Sequence, residues 1–196
     1  TSALIATTRV PEQVTPPDPP SGSTAERALA ERIRRYSAQT GIYDRNLIGL
    51  YTEADRNGDN ELSINELKEF QENLVVRFDY IINSTALNPI RFLNQGGGDC
   101  EDWSIITAGL LRFWGIQAYI GTLESPDDPV GHAVCLIRYS TPPRDLEYWE
   151  VTGTYGLNGY YVPIDYQVIG GLSSWLFSDW PLTNIYTPEE IYGWWM

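Results

Sequence analysis

At 196 residues, with 42% apolar and 20% charged side chains, the chain can bury one good core and has the composition of a globular protein. A formal net charge of −13 argues against nucleic acid and anionic membranes as partners, and no run approaches the ~18 apolar residues of a membrane span. The acidity, and a first residue that is Thr1 rather than methionine, predict a processed extracytoplasmic protein: periplasmic, cell-surface or secreted. A membrane tether before residue 1 is compatible with that reading.

In chain order, residues 1–23 carry Pro11, Pro16, Pro17, Pro19 and Pro20 without an apolar period, which predicts an extended tether. Thr24 can cap a helix over residues 25–39 that stops at Gly41, with Leu29 and Ile33 on one face. A second helix is expected over 44–54 and a third over 64–82, separated by an acidic loop. Pro89 and a glycine run divide this helical region, 24–84, from a second region, 85–196. There, Trp103, Ile106, Leu110 and Trp114 recur at helical spacing behind Cys100 and stop at Gly115. Strands are expected over 116–123, 132–139 and 146–151, the last two joined as an antiparallel hairpin by a Pro142-Pro143 turn. The C-terminal third is rich in aromatic residues (Trp175, Phe177, Trp180, Tyr186, Tyr192, Trp194, Trp195), read as core closure or as a surface for peptide or glycan. Thr187-Pro188-Glu189-Glu190 carries the signals of a helix start.

The chemistry centres on Cys100. Asn94-Gln95-Gly96-Gly97-Gly98-Asp99-Cys100 ends a loop and opens a helix, where the positive end of the macrodipole favours a thiolate. His132, the chain's one histidine, is the candidate base. For a hairpin turning near 142–143, position 132 pairs with about 152 or 153, so Glu150 becomes a diagonal neighbour able to orient the imidazole. A one-residue slip would bring in Glu147 instead. The Cys100 N–H and the Gln95 side chain are candidate oxyanion donors. Strand alternation puts Cys135 on the face opposite His132, which argues against a disulfide with Cys100.

Gly98-Asp99-Cys100-Glu101-Asp102-Trp103, followed by Leu110-Leu111-Arg112-Phe113-Trp114-Gly115-Ile116-Gln117-Ala118, resembles the core of the transglutaminase-like superfamily. Gly131-His132-Ala133-Val134 and Trp149-Glu150-Val151-Thr152 resemble its histidine and acidic strands. The Gly-Asp-Cys-Glu-Asp version is especially similar to bacterial transglutaminase-like cysteine proteases, a papain-related group. Over residues 90–153 the resemblance implies an α+β papain-like core, a cysteine-bearing helix on an antiparallel sheet, with Cys100, His132 and Glu150 in the triad positions. The family usually carries an aspartate where this chain has Glu150. The resemblance does not separate hydrolysis from amide transfer to an amine.

A second motif lies at Asp55-Arg56-Asn57-Gly58-Asp59-Asn60-Glu61-Leu62-Ser63-Ile64-Asn65-Glu66. Hard oxygen donors fall at loop positions 1, 3, 5, 7 (backbone), 9 and 12 as Asp55, Asn57, Asp59, Glu61, Ser63 and Glu66, the spacing of an EF-hand loop for Ca²⁺. Asn60 stands where glycine is usual and tolerates the left-handed conformation needed there. The sequence thus predicts a calcium-binding, transglutaminase-like cysteine protease or amidase acting on peptide or protein. The contrasting expectation is a non-catalytic module that keeps the fold and uses its groove and aromatic tail for recognition.

Overall fold

The computed structural model describes residues 23–125, 128–153, 157–165 and 181–193. The Pro-rich segment and most of the aromatic tail, including Trp175, Phe177, Trp180, Trp194 and Trp195, lie outside them. Helix α1 is Thr24–Thr40, capped by Ser23 rather than Thr24. Ser23 and Glu26 satisfy each other's backbone N–H, and Gly41 closes the helix at φ 70°. Helix α2, Arg45–Thr52, begins where the Asp44 carboxylate accepts from the N–H groups of Asn46 and Leu47. Helix α3, Ile64–Arg77, stops five residues short of the expected 82 because Phe78 is already extended and Asp79–Tyr80 (β1) pairs in parallel with Gly97–Gly98 (β2). Helix α4, Pro89–Gln95, was not expected. Asn88 caps it through the Arg91 N–H, and proline occupies its first turn.

Helix α5, Cys100–Phe113, is buried along nearly its whole length, as a helix that is apolar all round must be. It packs on a five-stranded sheet whose order is β5-β6-β4-β3-β7, formed by β3 (Ala118–Ser125), β4 (Asp128–Tyr139), β5 (Trp149–Val151), β6 (Gly159–Ile164) and β7 (Leu182–Tyr186). A short helix α6, Pro188–Gly193, follows where its sequence signals placed it. Every pairing in this sheet is antiparallel. Alternation divides the strands between two clusters. Ala118, Ile120, Ala133, Cys135, Ile137 and Ile164 join α5, while Tyr119, Val134, Leu136, Tyr161 and Ile185 pack on the other face. Tyr36, Leu47, Tyr51 and Phe70 of the N-terminal helices share the α5 cluster, so the helical region and the sheet enclose one core.

The expected β4–β5 hairpin does not form. Strand β6 lies between the two, pairing with β4 through Cys135↔Ile164 and with β5 through Glu150↔Tyr160. Glu150 therefore sits on an edge strand, exposed, two strands' spacing from β4.

Candidate active site

Cys100 is the first residue of α5 and is half-buried; Cys135 is wholly buried, and both thiols are free. His132 lies in β4 and hydrogen-bonds Cys100. Its Nε2 is 3.1 Å from Oδ2 of Asp165, whose side chain is fully withdrawn from solvent. Asp165 follows Ile164 at the end of β6, and Ile164 pairs with Cys135 three residues beyond His132. The carboxylate thus reaches the imidazole across the β4–β6 ladder.

The structure brings together two of the expected residues, Cys100 and His132, and supplies a different acceptor. Neither Glu150 nor Glu147 reaches the histidine, because the hairpin arithmetic assumed β5 beside β4. Asp165 does. A strand signal precedes it in Tyr160-Tyr161-Val162-Pro163-Ile164.

Burial alone would depress the basicity of His132 and is the largest single influence. The hydrogen bonds it makes to Asp165 and Cys100, with the charges on both, outweigh it and hold the imidazole up at about 9. Near neutral pH His132 is therefore held in its protonated form beside Cys100 and Asp165.

The glycine run serves the fold more than an approaching ligand. Gly97 has φ 150°, and a Cβ there would run into the backbone of Asp79 on β1; one at Gly98 would run into the Asp102 side chain. Asp102 is fully buried. It accepts from the N–H groups of Leu87 and Asp99 and from Asn83 Nδ2 at 2.6 Å, and its carboxyl is raised, chiefly by burial. Asn83 N–H in turn donates to Asp99 Oδ2 at 2.9 Å, while Asp99 Oδ1 is buried with no hydrogen-bond partner among the described residues. Gln95 Nε2 donates to Asn83 Oδ1 at 3.0 Å and to the Gly97 carbonyl at 3.4 Å, so its amide is engaged within the loop before α5.

The loop 55–66 turns through two left-handed residues. Gly58 and Asn60 are left-handed, at φ 74° and 66°. Asp55 accepts from the N–H groups of Gly58 and Asn60, Asn57 from that of Asp59, and Asp59 from that of Glu61, so the donors at positions 1, 3 and 5 turn into the loop. Glu66, 6% exposed, folds back to accept from Arg56, Asn57 and Ser63 N–H. Burial would raise its carboxyl, but the hydrogen bonds, led by Ser63, prevail and hold it below the ordinary range. Ser63 Oγ caps α3 and donates to Glu66, and Leu62 packs against the core. The oxygen-only donor set and left-handed Asn60 fit the ion. Among the described residues, however, no three His, Cys, Asp or Glu side chains already converge as a metal cluster.

No family model and no curated protein sequence matches the chain. Its structure is similar to calcium-bound LapG of Legionella pneumophila, at 17% identity and a TM-score of 0.50, covering 80% of this chain and 88% of that one. EGTA-treated LapG matches at 16% identity and a TM-score of 0.47 over 80% and 86%. A candidate cysteine protease from Cytophaga hutchinsonii matches at 14% and 0.41 over 74% and 56%. With its cysteine-bearing helix set on a five-stranded antiparallel sheet, the chain has a transglutaminase-like α+β fold.

Proposed function

We propose that this protein is a calcium-binding cysteine protease or amidase that works through a thioester acyl-enzyme. The observation that carries the reading is the chain of contacts Cys100–His132–Asp165, a nucleophile, a base and a buried orienting carboxylate. The Cys100 thiolate attacks the amide carbonyl carbon, the C–S bond forms, and the π pair moves to oxygen. Collapse expels the amine, which takes the imidazolium proton of His132. His132 then removes a proton from water as it attacks the thioester, and the thiolate leaves. Asp165 keeps the imidazole oriented and stabilises its charge through both steps. The Cys100 N–H, at the positive end of α5, is the first oxyanion donor to consider. Gln95 would have to leave Asn83 and Gly97 to act as a second.

Calcium is proposed at the loop 55–66, held by Asp55, Asn57 and Asp59, the Glu61 carbonyl and Glu66, with Ser63 next to it. Bound there, the ion would supply charge neutralisation and rigidity, not chemistry at Cys100. Arg32 supports an indirect effect: its Nη2 donates to the Asn60 carbonyl at 2.9 Å, and its guanidinium stacks 3.8 Å over the Trp114 ring at the end of α5. A peptide or protein substrate and an extracytoplasmic setting, where calcium is plentiful, belong to the same proposal. No helix among the described residues is long and apolar enough to cross a membrane.

Alkylation tests the nucleophile. Iodoacetamide should add one group per folded chain, at Cys100 and not at Cys135, whose thiol burial pushes far up. The His132→Ala variant should label several-fold more slowly at neutral pH. A Cys100 that reacts no faster than free cysteine, with or without His132, would support a bare recognition module.

A further inference from the structure

We propose that Trp103 is a positioning residue for the acyl-transfer step: its indole N–H fixes the Gly98 carbonyl and thereby aims the Cys100 backbone N–H at the oxyanion. This rests on the hydrolytic reading above and adds a residue to its machinery.

Trp103 lies one turn behind Cys100 in α5 and is buried. Helical side chains lean towards the N-terminus, so the indole reaches back past the nucleophile to the loop that leads into the helix. There Nε1 donates to the Gly98 carbonyl at 3.0 Å. The same oxygen accepts from the Ile81 N–H, also at 3.0 Å, so both of its lone pairs are engaged. The ring is itself held. It meets Phe92 of α4 edge to face, with centroids 5.3 Å apart, and Phe92 is wholly buried against Phe78. The helix that carries the nucleophile thus clamps its own entry.

The clamp matters because of what it holds. Gly98 ends a run of three glycines, the part of the loop with the least intrinsic preference for one backbone direction. One peptide further on is the Cys100 N–H, which as the first of α5 has no intrahelical acceptor and is left for a ligand oxygen. A tilt of the Gly98–Asp99 peptide is passed to the Asp99–Cys100 peptide, and a displaced donor loses much of its grip on a developing charge. Core filling alone does not call for an indole. Ile105, Ile106, Leu110, Leu111 and Phe113 fill the buried faces of α5 with no polar side-chain atom. A buried indole N–H is unfavourable unless it finds an acceptor. The acceptor it finds is the last carbonyl of the glycine run.

Trp103→Phe keeps a ring in place and removes the donor. Tyr51→Phe is its comparison: it removes a buried hydroxyl that donates to the Ile106 carbonyl of the same helix at 3.0 Å, away from the glycine run. Two probes separate the thiolate from the oxyanion. N-acetylglycinal forms a hemithioacetal, in which the Cys100 sulfur bonds the aldehyde carbon and the π pair moves to an oxygen at the oxyanion position. Iodoacetamide alkylates the sulfur with loss of iodide and builds no such charge. Trp103→Phe should bind the aldehyde about tenfold more weakly, part of what loss of a whole oxyanion donor costs, and should alkylate at the wild-type rate. It should also shift the Cys100 amide in ¹H–¹⁵N spectra. Tyr51→Phe should change none of the three. Aldehyde affinity unchanged in Trp103→Phe, lowered equally in both variants, or matched by an equal loss of alkylation would overturn the proposal. If the wild type itself neither binds the aldehyde nor hydrolyses a peptide thioester, the hydrolytic reading falls. The Cys100 amide then decides the positioning alone: a shift confined to Trp103→Phe supports it, and the absence of one overturns it.

Discussion

His132 Nε2 and Asp165 Oδ2 lie 3.1 Å apart with the two side chains 9% and 0% exposed, although 33 residues separate them in sequence. A carboxylate so withdrawn from water holds the imidazole in one orientation and has little competition for its charge. Asp165→Asn should therefore lower kcat by about 10²–10⁴-fold while the protein still folds, as expected when an orienting carboxylate is lost. Glu150→Gln should leave kcat and KM near wild type. The opposite ranking in steady-state assays would restore β5 as the acidic strand.

The pH dependence follows from the same contact. With its folded value at about 9, against 6.5 for the free group, His132 carries the proton needed by the leaving amine until the pH passes about 9. The kcat/KM profile should fall on the alkaline side near that value, and Asp165→Asn should move the fall downward. Because the folded value is the higher one, the stability contributed by His132 is fully present below about 6.5 and is lost as pH rises through about 9. Thermal melts of wild type and His132→Ala should converge over that interval.

Calcium titrated calorimetrically should bind one ion per chain. At about 100-fold over the dissociation constant it should add ~2.7 kcal/mol of stability if the folded state alone binds. Asp55→Asn and Glu66→Gln should each weaken that binding. Arg32→Met should leave binding in place but reduce the effect of calcium on Cys100 alkylation, since Arg32 joins Asn60 to Trp114. If Glu66→Gln binds normally and Asp99→Asn does not, the ion sits beside Cys100, where Asp99 Oδ1 has no hydrogen-bond partner among the described residues.

Gly97→Ala should destabilise the fold by on the order of 2–4 kcal/mol in urea denaturation, since φ 150° and the Asp79 backbone both oppose a Cβ. Gly96→Ala, at φ 85° in open space, should cost about 1 kcal/mol. Equal costs at the two sites would show that the β1–β2 contact does not constrain the loop before Cys100.

What the sequence made legible is what local pattern controls. The apolar period behind Cys100, the Pro188 helix start and the left-handed tolerance of Asn60 all appear in the structure. The end of α3 was misread because Val76 and Ile82 extend its apolar pattern although they are 86% and 83% exposed. The third member of the site was not legible because it depends on which strand inserts beside β4. Two prolines marked a turn after β4, and no strand was expected at 159–164, where Pro163 interrupts the apolar run. That proline is tolerated because β5 covers only Gly159, Tyr160 and Tyr161 of β6, leaving residue 163 beyond its reach. Non-local strand order, not residue chemistry, decided between Glu150 and Asp165.

Trapping the acyl-enzyme tests the central claim most directly. An activated ester or peptide thioester, quenched in acid and examined by intact mass and peptide mapping, should leave one acyl group on Cys100 in the wild type. The adduct should be absent from Cys100→Ala, form slowly in His132→Ala and Asp165→Asn, and form normally in Glu150→Gln. An acyl group carried elsewhere, or turnover that persists unchanged in Cys100→Ala, would contradict the account.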